Sequence, residues 1–178
     1  MHFIRFIMTS QMIENLYRQT YRDALAMHES GGKRQNILNY IASAAETAAG
    51  SGTAVSILLL DQDGLLRNAA SPQLPADYLE AIDGLRPDAN VGTCAAAAAT
   101  GCIVFTPSFF ADDKWAELRH LPLALGYLGA WSMPIKTSDN RIIGTFGTYF
   151  RQHREPSKEE MKGTELLVSA VATVLTSY

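Results

Sequence analysis

The chain reads as an α+β domain: a central antiparallel sheet of about five strands, flanked by helices. Three observations predict this. Two pairs of β-leaning runs are each joined by a tight polar turn, Asp61–Gly64 and Thr137–Asn140. Long amphipathic segments open and close the chain, and no run alternates strand and helix in the regular way that a parallel sheet requires.

From Thr9 onward, Ile13, Leu16, Tyr17, Thr20, Ala24 and Met27 recur at helical spacing, which predicts a first helix broken by Ser30-Gly31-Gly32. A second helix carries Ile37, Leu38, Ile41, Ala44, Ala45 and Ala48 and ends at Gly50-Ser51-Gly52. Thr53–Leu60 and Leu65–Ala70 form the first hairpin, and Ser71–Pro75 interrupts before a short helix over Ala76–Leu85. Thr93 caps a brief alanine helix and Gly101 closes it in the left-handed conformation. Strand Cys102–Thr106 follows directly. Asp112 or Asp113 starts a helical turn bearing Trp115 and Leu118, and Pro122 limits it. Tyr127–Lys136 and Arg141–Arg151 form the second hairpin. In the latter strand Ile143, Thr145, Gly147 and Tyr149 point one way; Ile142, Gly144, Phe146, Thr148 and Phe150 point the other. The last helix opens on the capping box Ser157–Glu160, with a stripe of Met161, Thr164, Val168, Val171, Leu175 and Tyr178.

With 178 residues, 47% of them apolar and 19% charged, the chain has the composition of a single globular unit with a sizeable core. A net charge of −3 with scattered lysines and arginines argues against a nucleic-acid surface. Two cysteines, at 94 and 102, make no disulfide framework, no Cys/His cluster suggests a metal, and a reduced, cytoplasmic setting is expected. Met1–Met8 is apolar but far short of the roughly 20 residues that span a bilayer, so it reads as a leader or a misplaced start, with no membrane partner.

Three stretches carry a resemblance: Val91-Gly-Thr-Cys94-Ala-Ala-Ala97, Ala130-Trp-Ser-Met-Pro-Ile135 and Ile142-Ile-Gly-Thr-Phe-Gly-Thr148. Together with the order of elements they resemble a GAF domain, a small-molecule sensor module, over roughly residues 32–178. Residues 1–31 are then a leader and first helix. The resemblance implies a sheet of five to six strands, a ligand pocket on the face covered by Ala76–Tyr127, and terminal helices packed on the other face and commonly dimerising.

Fold alone does not give function. The first reading is a receptor for a small anion or metabolite. Its site is formed by the backbone amides at Gly92, Thr93, Cys94 and Ala95, the strand Ala130, Trp131, Ser132 and Met133, and aromatic walls from Trp115, Tyr127 and Trp131. The chain is similar to freestanding nitrate-receptor GAF proteins, which implies nitrate as a ligand, a sensor histidine kinase as partner and a homodimer through the terminal helices. A second reading is a free methionine-(R)-sulfoxide reductase-like enzyme, since Cys94 matches that family's helix start. Against it, the segment Leu121–Trp131, where that family keeps its catalytic cysteine, contains none. A third is a ligand-free dimerisation or interaction module. His120 is the only histidine near the pocket region and does not by itself suggest haem, and the cyclic-nucleotide set of phosphodiesterase GAF domains is absent. No catalytic residues and no cofactor are expected.

Overall fold

The computed structural model describes residues 8–177, so the apolar leader Met1–Ile7 and Tyr178 lie outside the described residues. Six α-helices and five strands follow one another as α1 (Ser10–Glu29), α2 (Arg34–Ala49), β1 (Ala54–Leu60), β2 (Leu66–Ala70), α3 (Ala76–Ile82), α4 (Cys94–Thr100), β3 (Val104–Thr106), α5 (His120–Ala124), β4 (Gly129–Lys136), β5 (Ile142–Phe150) and α6 (Lys158–Thr176). A single 3-10 turn, Asp113–Trp115, precedes α5. The strands form one sheet in the order β2-β1-β5-β4-β3, and every neighbour is antiparallel.

Local chemistry sets the helix boundaries where the sequence places them. The Thr9 hydroxyl accepts the Met12 amide at 3.2 Å and starts α1. At α6 both halves of the capping box are made: Ser157 accepts from the Glu160 amide at 3.1 Å, and Glu160 accepts from the Ser157 amide at 2.6 Å. Arg154 adds two N–H bonds to the same carboxylate.

The sheet divides two cores. On one face Val55, Ile57, Trp131, Met133, Ile135, Phe146 and Phe150 pack against Tyr17 and Ala24 of α1, Ile37, Leu38 and Ile41 of α2, and Leu167 and Val171 of α6. Full burial of each large apolar side chain contributes about 1.5–3 kcal/mol, so this layer is a large part of what holds the domain together. Helices α1 and α6 meet closely, because a Cβ placed on Gly163 would stand 2.1 Å from the Tyr17 ring. The opposite face is covered by α3, α4 and the segment 107–127.

Three elements depart from expectation. Strand β3 is only three residues long, since Cys102 and Ile103 still belong to the turn that leaves α4. Pro122 does not end a helix but sits within the first turn of α5, where its missing N–H has no intrahelical role. Ile143 packs with the helix-side core, not with Thr145, Gly147 and Tyr149, because the pairing register shifts beside it between Ile135 and Lys136.

Both sheet edges are short or covered. Leu66 of β2 exchanges backbone bonds with the Gly84–Leu85 segment, and Gln35 Nε2 donates to the Ala69 carbonyl at 2.6 Å.

Candidate functional site

Strand alternation puts three small residues side by side on the face away from the long helices: Ser56 of β1 opposite Gly147 of β5, and Gly147 opposite Ser132 of β4. Thr145 lies in the next row of the same face. Helix α4 rests on this patch. Its first residue, Cys94, points down at the backbone of Gly147, so closely that a Cβ there would stand 2.7 Å from Sγ. Burial pushes the Cys94 thiol above its ordinary range, and the neighbouring Ser132 and Thr145 hydroxyls offset this only in part. Apart from the Cys94 thiol beside them, neither hydroxyl has a hydrogen-bond partner among the described residues, although both residues are fully buried. Two buried hydroxyls with only a thiol beside them, under one helix start, are uncommon in a native core.

The backbone at this helix start is also open. The amides of Thr93, Cys94, Ala95 and Ala96 donate to no acceptor among the described residues, as the geometry of a first helical turn dictates. Gly92 differs: its amide donates to the Lys114 carbonyl at 2.7 Å, so it is closed to a ligand. Thr93 does not cap the helix with its side chain. Its buried hydroxyl serves a relay in which Trp115 Nε1 donates to Thr93 Oγ1 at 2.8 Å, Thr93 to Thr106 Oγ1 at 3.0 Å, and Thr106 to Asp112 Oδ2 at 2.9 Å. Lys114 Nζ closes the chain on the same carboxylate at 2.7 Å. Burial alone would raise the Asp112 carboxyl, but the bonds from Lys114 and Thr106 outweigh it and hold it below the usual carboxylate range. The segment 107–118 is thus latched onto α4 as a lid, with Arg119 bracing it from outside through the Phe110 carbonyl at 2.8 Å.

Beside this polar patch the face is filled by rings. Tyr78, Phe109, Trp115, Tyr127 and Tyr149 form one buried cluster with Ala54 and Ala130. Phe109 meets Trp115 edge-on at 4.5 Å between centroids, Tyr149 lies 5.6 Å from Tyr127, and the Tyr78 hydroxyl donates to that of Tyr149 at 3.1 Å. Burial raises the pKa of both Tyr78 and Tyr149, so each remains a neutral phenol.

Of the residues singled out from the sequence, the structure brings together Thr93, Cys94, Ala95, Trp115, Tyr127, Ala130 and Ser132 on this face. Trp131 and Met133 are not part of it. They alternate with Ala130 and Ser132 along β4, so both side chains enter the helix-side core, where Trp131 stacks on Phe105 at 6.4 Å. Period-two alternation, applied to β4 as it was to β5, would have separated them. The reading from sequence also missed Thr106, Asp112 and Thr145. Only the last carried a signal, since it shares the face of Gly147 and Tyr149 in β5; the relay joins residues up to 22 apart in sequence through a loop. Among the described residues no group of three His, Cys, Asp or Glu side chains is placed to hold a metal ion, and no helix is long and apolar enough to cross a membrane.

The contact between Cys94 and Gly147 yields a direct test. Gly147→Ala should destabilise the protein by about 1–3 kcal/mol through overpacking, and Cys94→Ala in the same chain should relieve most of that cost. Urea unfolding of the two single variants and the pair measures it; strict additivity would mean that the thiol is not what the new methyl group meets.

The model of one family, described as GAF domain, matches residues 33–176. A methyl sulfide methyltransferase-associated sensor from Methanosarcina acetivorans is 31% identical over 134 residues, 75% of this chain and 13% of that protein, so the chain spans only a small part of its curated relative. Among solved structures, free methionine-R-sulfoxide reductase from Neisseria meningitidis, in complex with its substrate, superposes with a TM-score of 0.73 at 16% identity, covering 98% of this chain and 95% of that one. A domain assigned to a two-component sensor histidine kinase protein of Sinorhizobium meliloti superposes with a TM-score of 0.66 at 20% identity, covering 80% of this chain and 90% of that one. At these identities the two structures speak to the fold alone.

Proposed function

Since the chain belongs to the GAF domain family, its family match covering residues 33–176, we propose that it is a sensor domain that binds a small anion or small polar metabolite beneath the lid and signals occupancy to a partner protein. One observation carries the reading: the buried hydroxyls of Ser132 and Thr145, with only the Cys94 thiol beside them, lie near the partnerless amides that open α4. Amides without acceptors and hydroxyls with no stronger acceptor than a thiol suit an oxyanion or a carbonyl. Nitrate is the simplest ligand of this kind.

Entry requires the relay through Thr93 to open, because Trp115 and its neighbours fill the space beside the patch. Sensing is then a population shift between a latched and an unlatched lid, with the ligand preferring the arrangement in which its oxygens replace the lid's own bonds. The relative from Methanosarcina acetivorans is named as a sensor, which supports a signalling role; the partner in this reading is a sensor histidine kinase, with two copies of the chain joined through the terminal helices.

Chemistry at Cys94 is disfavoured. Burial raises its thiol, so the thiolate needed for attack is scarce at neutral pH, and Leu121–Trp131 supplies no second cysteine. The likeness to the reductase is one of fold. A ligand-free interaction module is favoured by the aromatic cluster that packs the covered face.

Thermal unfolding with nitrate, nitrite, formate and acetate separates these readings. A receptor should gain about 2.7 kcal/mol at one hundred times its dissociation constant, which is roughly 5–10 °C for a chain of this size. Ser132→Ala and Thr145→Val should each reduce the shift while changing the unliganded midpoint little, since each hydroxyl has only the Cys94 thiol beside it. No shift with any probe would overturn the receptor reading in favour of the interaction module.

A further inference from the structure

A second cleft, separate from the covered face, opens at the end of the sheet where α2, the start of β1 and the end of β5 converge. It encloses about 490 Å³ and includes one acidic and one basic side chain in its lining, Glu46 and Arg151, with Ser51, Thr53, Gln73 and Tyr127 around them. Neither charge has an ion-pair partner among the described residues, and they do not pair with each other.

Both are held in place. Arg151 runs between two glycines: its Cδ lies 3.1 Å from where a Cβ of Gly52 would stand, and its Nη1 lies 2.4 Å from where one of Gly126 would stand. Both glycines have φ of +80°, a conformation that side chains disfavour, so the channel for the arginine is built into the backbone. Nη1 donates to the Leu125 carbonyl at 2.6 Å and the guanidinium sits 4.6 Å above the Tyr127 ring. That orients the fork, which also bonds the Tyr127 side chain, and the guanidinium has five N–H donors where Arg151 lines the cleft. Glu46 is 7% exposed; its Oε1 accepts the Val55 amide at 3.0 Å, and the Gln73 backbone also bonds its carboxylate. A buried carboxylate with no cation beside it is costly, and burial accordingly raises its pKa. Two opposite charges that line one cleft, each fixed by backbone hydrogen bonds, are complementary to a ligand with the reverse arrangement.

We propose that this cleft is a second ligand site, for a small zwitterion of the amino-acid type, with its carboxylate on Arg151 and its ammonium on Glu46. The surrounding hydroxyl and amide side chains suit a polar substituent on the ligand. The site stands independently of the one under the lid, with which it shares only Tyr127, whose ring contacts both Arg151 and Tyr149.

The test is isothermal titration of the intact chain with the twenty L-amino acids, with acetate and methylamine as single-charge controls. At least one amino acid should bind, and neither control should match it. Arg151→Gln and Glu46→Gln should each weaken binding by about tenfold or more, the loss expected for one charge-assisted hydrogen bond, whereas Ser132→Ala should not change it. Circular dichroism melts establish that each variant is folded, and the Arg151 variant alone decides the matter if the Glu46 variant is not. The proposal is overturned if no amino acid binds, if acetate or methylamine binds as tightly, or if a folded Arg151→Gln binds as well as the parent. The failure of nitrate to bind under the lid leaves these outcomes unchanged, so the two sites are judged separately.

Discussion

Gly163→Ala should destabilise the protein by about 3 kcal/mol or more, the upper end of what overpacking costs. Two effects of opposite sign compete at this position. Alanine in a helix interior is favoured over glycine by about 0.8–1 kcal/mol, which on its own makes the substitution stabilising. Against that, the new methyl carbon would lie 2.1 Å from Cγ and Cδ2 of Tyr17, inside the ring's van der Waals envelope. The ring cannot swing away, because Tyr17 is 2% exposed and packed in the helix-side core. Packing therefore wins, and α1 must shift off α6 or tilt. In a total stability of roughly 5–15 kcal/mol such a loss is large. Urea unfolding of Gly163→Ala in the parent and in a Tyr17→Ala background tests the cause. With the ring gone the substitution should become neutral or favourable; a stabilising effect in the parent would refute the ring-on-glycine contact.

The second large effect is expected at Thr93. Thr93→Val keeps the shape of the side chain and removes its hydroxyl, which leaves the buried Trp115 N–H without an acceptor. An unsatisfied buried donor costs about 1–3 kcal/mol. The lid should pay this by opening, not by global unfolding, so acrylamide should quench Trp115 more in the variant; Trp131, fully buried on the opposite face, contributes a constant background. Unchanged quenching with a lowered midpoint would mean that the relay supports the fold and not the lid.

The same relay gives a pH dependence. Asp112 has a folded pKa below its ordinary value of 3.8, so its contribution is present above that value and lost as pH falls through the lower, folded one. The lid should stay latched across the neutral range and loosen only in acid. Asp112→Asn should abolish the acid step and weaken the latch at neutral pH, where Lys114 loses its counter-charge.

Much of the fold was legible because its signals are local. The capping box at Ser157, the left-handed Gly101 with φ of +67° and the turns at Asp61–Gly64 and Thr137–Asn140 all lie within a few residues of what they control. The site was less legible. Thr93 looks like a cap from its neighbours alone, but Thr106 and Trp115, distant in sequence, take its hydroxyl. Trp131 looks like a pocket wall by residue type, yet alternation along β4 commits it to the other face. Ile143 shows the limit of alternation itself, since a shift of register turns it over.

The covered and shortened sheet edges bear on how copies of the chain meet in solution. A sheet grows between molecules only where a row of backbone groups is left open, and here β2 has its groups at Leu66 and Ala69 occupied while β3 offers three residues. Strand-to-strand stacking into filaments is therefore suppressed. Concentrated protein should remain free of cross-β order, and any assembly into larger units is left to the helices and loops.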